Sequence, residues 1–292
     1  MSTATRPRRV PFTRESVRYL GTKARGRSSL DSSLDVSELQ RAPLREWLSV
    51  GELRRYQDVH APSRGVRMCG VRGRMCRSAR CARCSHRRAA DVRARLAEAL
   101  RAAPEIGPAL VWTATVSHTP DRALGDVWAA LDALLGAVAH RQWLTRNVGG
   151  YARLLEIEHT PEGWHVHAHT ILVFGNDVPR SEAARTGERI VARYLDAADR
   201  LGIAADASGQ DVRPFGLSAA VGYVTKSHMT TAPTSTPGTL TPSMLLQRAA
   251  RGDATADAML AEIDRASRGR KLFALGGMLR GARHERRPRF QK

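Results

Sequence analysis

Between Trp164 and Phe174 the chain reads Trp-His-Val-His-Ala-His-Thr-Ile-Leu-Val-Phe, with histidine at positions 165, 167 and 169. Nothing else in the sequence restricts the fold so strongly. A period of two is that of a β-strand, whose alternate side chains point to opposite faces. His165, His167 and His169 therefore share one face, while Val166 and Ala168 turn toward packing. Three imidazoles in five residues are hard to explain as core, because each buried ring needs hydrogen-bond partners. Imidazole is also the commonest side-chain ligand for first-row divalent ions, so the strand reads as one wall of a metal site.

The segment Tyr151–Glu158 has strand character, and His159-Thr-Pro-Glu-Gly163 is turn material, so the two strands read as a hairpin. Glu156 and Glu158 share a face of the first strand. If residue 156 pairs with 167, both acids meet the histidines; a slip of one residue reverses the faces. A mixed histidine and carboxylate site suggests Mg²⁺ or Mn²⁺, although zinc binds such donors equally well by chemistry.

Around this hairpin the pattern predicts further elements. Arg87–Ala102 carries Val92, Leu96 and Leu100 at helical spacing, Ala109–Val116 is a strand, and Asp126–Leu144 is a helix. Ser181–Leu201 is a long amphipathic helix, Gly209–Pro214 a short strand, and Leu217–Lys226 a helix. The order is that of an α+β sandwich, with helices packed on a largely antiparallel sheet. Residues 229–243 read as a Pro/Thr/Ser linker, and Met244–Ala266 as one more helix before a basic tail. On this reading residues 1–60 are a basic, partly disordered region with a short helix near Leu44–Leu53. Residues 61–105 are a Cys-rich segment and helix, 106–228 the catalytic domain, and 229–292 a linker, helix and tail.

Tyr223 and Lys226 lie three apart, which on a helix puts phenol and ammonium on one face. A phenolate can attack a phosphodiester and store the bond energy in a phosphotyrosyl link. Alone, Tyr-x-x-Lys is a common pattern; it gains weight by following the histidine strand after one helix and one strand.

The formal charge of +19 comes from 47 Lys and Arg against 28 Asp and Glu. It is concentrated in three stretches: 1–30, 64–95, which holds eleven arginines against Asp91, and 265–292. Such clusters point to a polyanion partner. No apolar run is long enough to span a bilayer, and no secretory signal is evident, so a cytoplasmic protein is expected. Cys69, Cys76, Cys81 and Cys84 fall within sixteen residues. In a reducing compartment this cluster suggests structural Zn²⁺ rather than disulfides. The final C-x2-C is half a zinc site, and His86 is an alternative to Cys69 or Cys76 as the fourth ligand.

Taken together, EIEHTPEGWHVHAHTILVF resembles the HUH motif, a pair of metal-binding histidines flanking one hydrophobic or small residue, in rolling-circle replication initiators of bacterial plasmids. VGYVTK resembles their tyrosine motif, VWTATVSH their first strand, and CARCSHRRAADVRARLAEAL the Cys-rich region that precedes it. The stretch from Thr241 to Gly281 looks like the C-terminal part of actinobacterial members, although Ala274-Leu-Gly-Gly277 departs from their more polar version. The resemblance spans roughly residues 65–280 in the family's order. It implies a ferredoxin-like sheet and a nickase acting on single-stranded or cruciform origin DNA, with a host helicase and DNA polymerase as partners. It also implies His167 and His169 as the HUH pair, His165 as an extra histidine, Glu156 ahead of Glu158 as the acidic ligand, Tyr223 as nucleophile and Lys226 as its partner. The residue one turn before Tyr223 is Ala219, where some members carry a second tyrosine or a glutamate used in termination. A mobilisation relaxase or a single-tyrosine transposase is the alternative within the same chemistry. A non-catalytic DNA-binding regulator is the alternative outside it.

Overall fold

A computed structural model describes residues 75–103, 105–216 and 239–280, together with Val66 and Cys69. Residues 1–60, the expected helix at 217–226 with Tyr223 and Lys226, most of the 229–243 linker and the tail beyond 280 lie outside the described residues.

The elements in chain order are α1 (Ala82–Ala102), β1 (Ile106–Thr115), α2 (Leu124–Ala139), α3 (Trp143–Asn147), β2 (Gly150–Thr160) and β3 (Gly163–Gly175). They continue with α4 (Arg180–Leu201), β4 (Asp211–Pro214), α5 (Pro242–Ala250), α6 (Ala254–Ala266) and β5 (Phe273–Gly277). The strands form one open sheet in the order β4-β1-β3-β2-β5, with every neighbouring pair antiparallel. β1 to β4, with α2 and α4 as crossovers, make the β-α-β-β-α-β pattern of ferredoxin-like folds. The α+β fold expected from the sequence, with helices on an antiparallel sheet, is what the chain adopts.

Alternation along the strands sorts the core into two faces. Leu110, Trp112 and Ala114 of β1 and Trp164, Val166, Ala168, Leu172 and Phe174 of β3 join one buried cluster with α2 and α4. Tyr194 of α4 is fully buried there, its ring 5.6 Å from that of Trp112 in an edge-to-face arrangement, and its hydroxyl donates to the Thr115 carbonyl at 2.7 Å. On the opposite face Ala109, Val111, Ala152, Leu154, Ile171 and Val173 bury against Val92, Leu96, Ala99 and Leu100 of α1. The helical stripe read from the sequence is thus the stripe that seals this second face. The odd-numbered residues of β3 divide between two tasks: Ile171 and Val173 lie under α1, and the three histidines continue the same face beyond them.

Three boundaries differ from expectation. α1 begins at Ala82 rather than Arg87, with Cys81 at its N-cap, so the C-x2-C pair belongs to the helix start. The helix expected over 126–144 ends at Ala139 and resumes as α3 after a 3-10 turn. The expected helix 244–266 is two helices, because Gly252 has φ +93° and Asp253 starts α6 by accepting the Ala256 N–H at 3.0 Å. The C-terminal stretch also holds a strand that the pattern did not announce. β5 pairs with β2, Phe273 opposite Leu154 and Gly276 opposite Tyr151. A Cβ at Gly276 would lie 2.1 Å from the Tyr151 ring, so any larger residue there requires that ring to move.

Candidate functional site

β2 and β3 pair over their whole length, with Glu156 opposite His167 and Glu158 opposite His165. This is the register in which acids and histidines share a face. The Glu156 Oε2 lies 2.7 Å from His167 Nε2 and 2.9 Å from His169 Nε2. Donor atoms of Glu156, His167 and His169 all fall within 4.8 Å of one another, the spacing needed to hold one ion. Glu156 and His169 are buried, so a charged carboxylate here needs a positive partner.

The two imidazoles are held differently. His169 Nδ1 lies 3.0 Å from the hydroxyl of Thr113 on β1, which pairs opposite it. His167 Nδ1 is buried without a hydrogen-bond partner among the described residues. Burial pushes the His169 pKa down, against the upward pull of Glu156, which favours a neutral ring able to bind a cation.

His165 stands one step along the strand and outside the three-residue cluster. Its ring packs edge-to-face between His118 and His167, at centroid distances of 4.8 and 4.9 Å. Burial and then the neighbouring histidines push its pKa down to about 4. Glu158 is pushed up by burial and by the charge of Glu156. The cluster contains Glu156 but not Glu158, and gathers two of the three histidines. His118, at the end of VWTATVSH, joins the row of rings. Its place could not be read from the sequence, because it follows β1 in a loop.

The cysteines form a second cluster. The Sγ of Cys84 lies 3.5 Å from those of Cys69 and Cys76, and all four thiols fall within 4.8 Å. Arg77, at φ +62°, turns its backbone N–H onto Cys84 Sγ at 3.0 Å. Burial raises Cys76 to about 11 and raises Cys81 further. At Cys69 burial acts the same way, but hydrogen bonds from the Cys76 backbone and from the other thiols outweigh it and leave that thiol lowered. Four thiolates this close repel one another unless a cation sits among them, so the donor set fits Zn²⁺. The side chain of His86 lies outside the described residues. All four cysteines gather together, which leaves the cluster complete without it. The loop is tied to α6: Ser78 donates to Asp264 Oδ2 at 2.5 Å, the Ala79 N–H donates to Asp264 Oδ1, and Arg80 pairs with Asp257.

A ferredoxin-like sheet with a Glu-His-His cluster on one face fits the HUH class of domain. Residues 70–181 match the Rep_1 family model, described as Replication protein. That span runs from the cysteine segment to the start of α4 and contains the whole Glu156–His167–His169 cluster. Over that span the chain is similar to rolling-circle plasmid replication proteins, as the sequence motifs implied; the match does not reach the level of an actinobacterial branch. No curated protein and no solved structure matches the chain. Among the described residues no helix is long and apolar enough to cross a membrane.

Proposed function

We propose that this replication initiator opens its origin by nicking one DNA strand with Tyr223. The observation that carries the proposal is the Glu156–His167–His169 cluster, three convergent donors on a sheet face. Two nitrogen donors and one carboxylate favour Mn²⁺ over Mg²⁺, which prefers oxygen. When bound, such an ion supplies Lewis acidity to the scissile phosphate.

The chain's own groups do the rest. The Tyr223 oxygen attacks phosphorus after losing its proton to solvent. A Tyr–O–P bond forms and the P–O3′ bond breaks. The 3′ oxygen leaves, takes up a proton and becomes the hydroxyl from which a polymerase extends. The DNA 5′ phosphate stays on Tyr223, and Lys226 balances charge on the phenolate and the phosphate.

The partner in this account is single-stranded or cruciform origin DNA, with a host helicase and DNA polymerase acting on the nicked product in the cytoplasm. Arg77, Arg83, Arg87 and Arg95 are exposed around the cysteine cluster and along α1, where they can meet phosphates. Zn²⁺ on the four cysteines fixes that surface. A relaxase or transposase would use the same centre; the replication-protein match and the order of histidines before tyrosine favour the initiator. The test is a nicking assay on supercoiled DNA carrying the replicon. Wild-type protein with Mn²⁺ should give open circles, and Tyr223→Phe or EDTA should give none. Nicking by Tyr223→Phe at the wild-type rate would overturn the reading.

A further inference from the structure

We propose that Thr113 is a positioning residue for the metal centre, its hydroxyl orienting His169 so that Nε2 faces Glu156 and His167. The inference rests on the reading of that cluster as a metal site.

Thr113 lies opposite His169 in the β1–β3 ladder, and its Oγ1 is 3.0 Å from Nδ1. Because Nδ1 is engaged on the β1 side, the ring presents Nε2 toward β2, where Glu156 stands. A histidine that ligates through one nitrogen needs its other nitrogen held, and such partners fix both ring orientation and tautomer. A hydroxyl suits this place better than a carbonyl. Without metal, Nε2–H donates to Glu156 and Nδ1 accepts from the Thr113 O–H. With metal on Nε2, the proton of the neutral ring sits on Nδ1 and is donated to Thr113 Oγ1. A carbonyl serves only the second state.

Asp211 of β4 stands opposite Thr113 on the other side of β1, so Asp211, Thr113 and His169 lie in one row across three strands. His167 lacks such support among the described residues, so His169 is the pre-oriented ligand of the pair. Thr113 is half-buried on a strand, where valine and serine are both accommodated.

The experiment compares full-length wild type, Thr113→Val and Thr113→Ser by calorimetric titration with Mn²⁺. Long-range ¹⁵N spectra of histidine-labelled, metal-free protein provide a second readout. Thr113→Val should bind Mn²⁺ about ten- to a hundredfold more weakly, and Thr113→Ser should stay close to wild type. The His169 Nδ1 resonance should move toward that of a free imine nitrogen in Thr113→Val alone. Equal Mn²⁺ affinity in wild type and Thr113→Val overturns the proposal, as does a Thr113→Ser variant as weak as Thr113→Val. If wild type takes up no Mn²⁺, the metal reading itself fails. The Nδ1 resonance then still decides on Thr113: a signal unmoved in Thr113→Val refutes the orienting bond.

Discussion

His167 lies directly opposite Glu156 in the β2–β3 ladder, with 2.7 Å between Nε2 and Oε2. Across the same face His169 brings its own Nε2 to 2.9 Å from that oxygen. One carboxylate oxygen shared by two imidazole rings in a buried place is a site prepared for a cation. His167→Ala with His169→Ala should therefore remove high-affinity Mn²⁺ binding. Lewis-acid assistance contributes several kcal/mol to such chemistry, so nicking should fall by at least about a hundredfold. Gel-shift affinity for duplex DNA should change little. Undiminished nicking by the double variant contradicts the metal assignment.

Cys84 Sγ sits at the centre of the cysteine cluster, touching Cys69, Cys76 and the Arg77 N–H. Protein purified reduced and without chelator should carry one zinc, measured by elemental analysis, and Cys84→Ser should carry none. Since ligation contributes to folding, the melting temperature should drop, by about 2–4 °C for each kcal/mol lost. Asp264→Ala removes the carboxylate that receives Ser78 and Ala79. It should speed zinc loss to a chelator without changing zinc stoichiometry. Zinc-free wild-type protein rules the site out.

Tyr194 of α4 packs against the sheet, and its surroundings disqualify it as a nucleophile. It is fully buried on the face away from the histidines and donates to the Thr115 carbonyl, and burial raises its pKa. Tyr194→Phe should cost about 1 kcal/mol of stability, the worth of one buried hydrogen bond. Nicking by the folded variant should be unchanged; a variant that melts normally yet no longer nicks points to a role for this phenol in the reaction.

DNA affinity should fall steeply with salt, because each phosphate contact releases counterions. The log–log slope is about −0.7 to −0.9 per contact, depending on strandedness. Charge reversal at Arg83 and Arg87, both exposed on α1, should flatten that slope. Filter-binding titrations between low and physiological salt provide the check, and a nearly flat wild-type curve argues against an electrostatic interface.

How much of this was legible beforehand depends on the range of the forces involved. The histidine strand declared itself through its period of two. Its partner could be named, but the register rested on the condition that 156 meets 167, which the tight turn after Thr160 fulfils. The stripe Val92, Leu96, Leu100 gave α1, but not its start, because the first turn is set by the cysteine cluster rather than by apolar spacing. β5 was invisible: Phe-Ala-Leu-Gly-Gly has no alternation and weak strand propensity, and it exists through pairing with β2. Asp264 and Thr113 share the same difficulty. Their partners lie 185 and 56 residues away, so no local pattern marks them. Tyr223 was assigned by spacing and resemblance alone, and it lies outside the described residues.

That assignment carries the central claim, and one measurement tests it directly. Full-length protein is incubated with Mn²⁺ and single-stranded DNA spanning the replicon, digested with nuclease and protease, and analysed by tandem mass spectrometry. The account predicts a 5′-nucleotide adduct on Tyr223, absent in the His167→Ala, His169→Ala double variant, with a free 3′ hydroxyl at the nick. Efficient nicking that leaves no adduct, or leaves it on a tyrosine other than Tyr223, contradicts it.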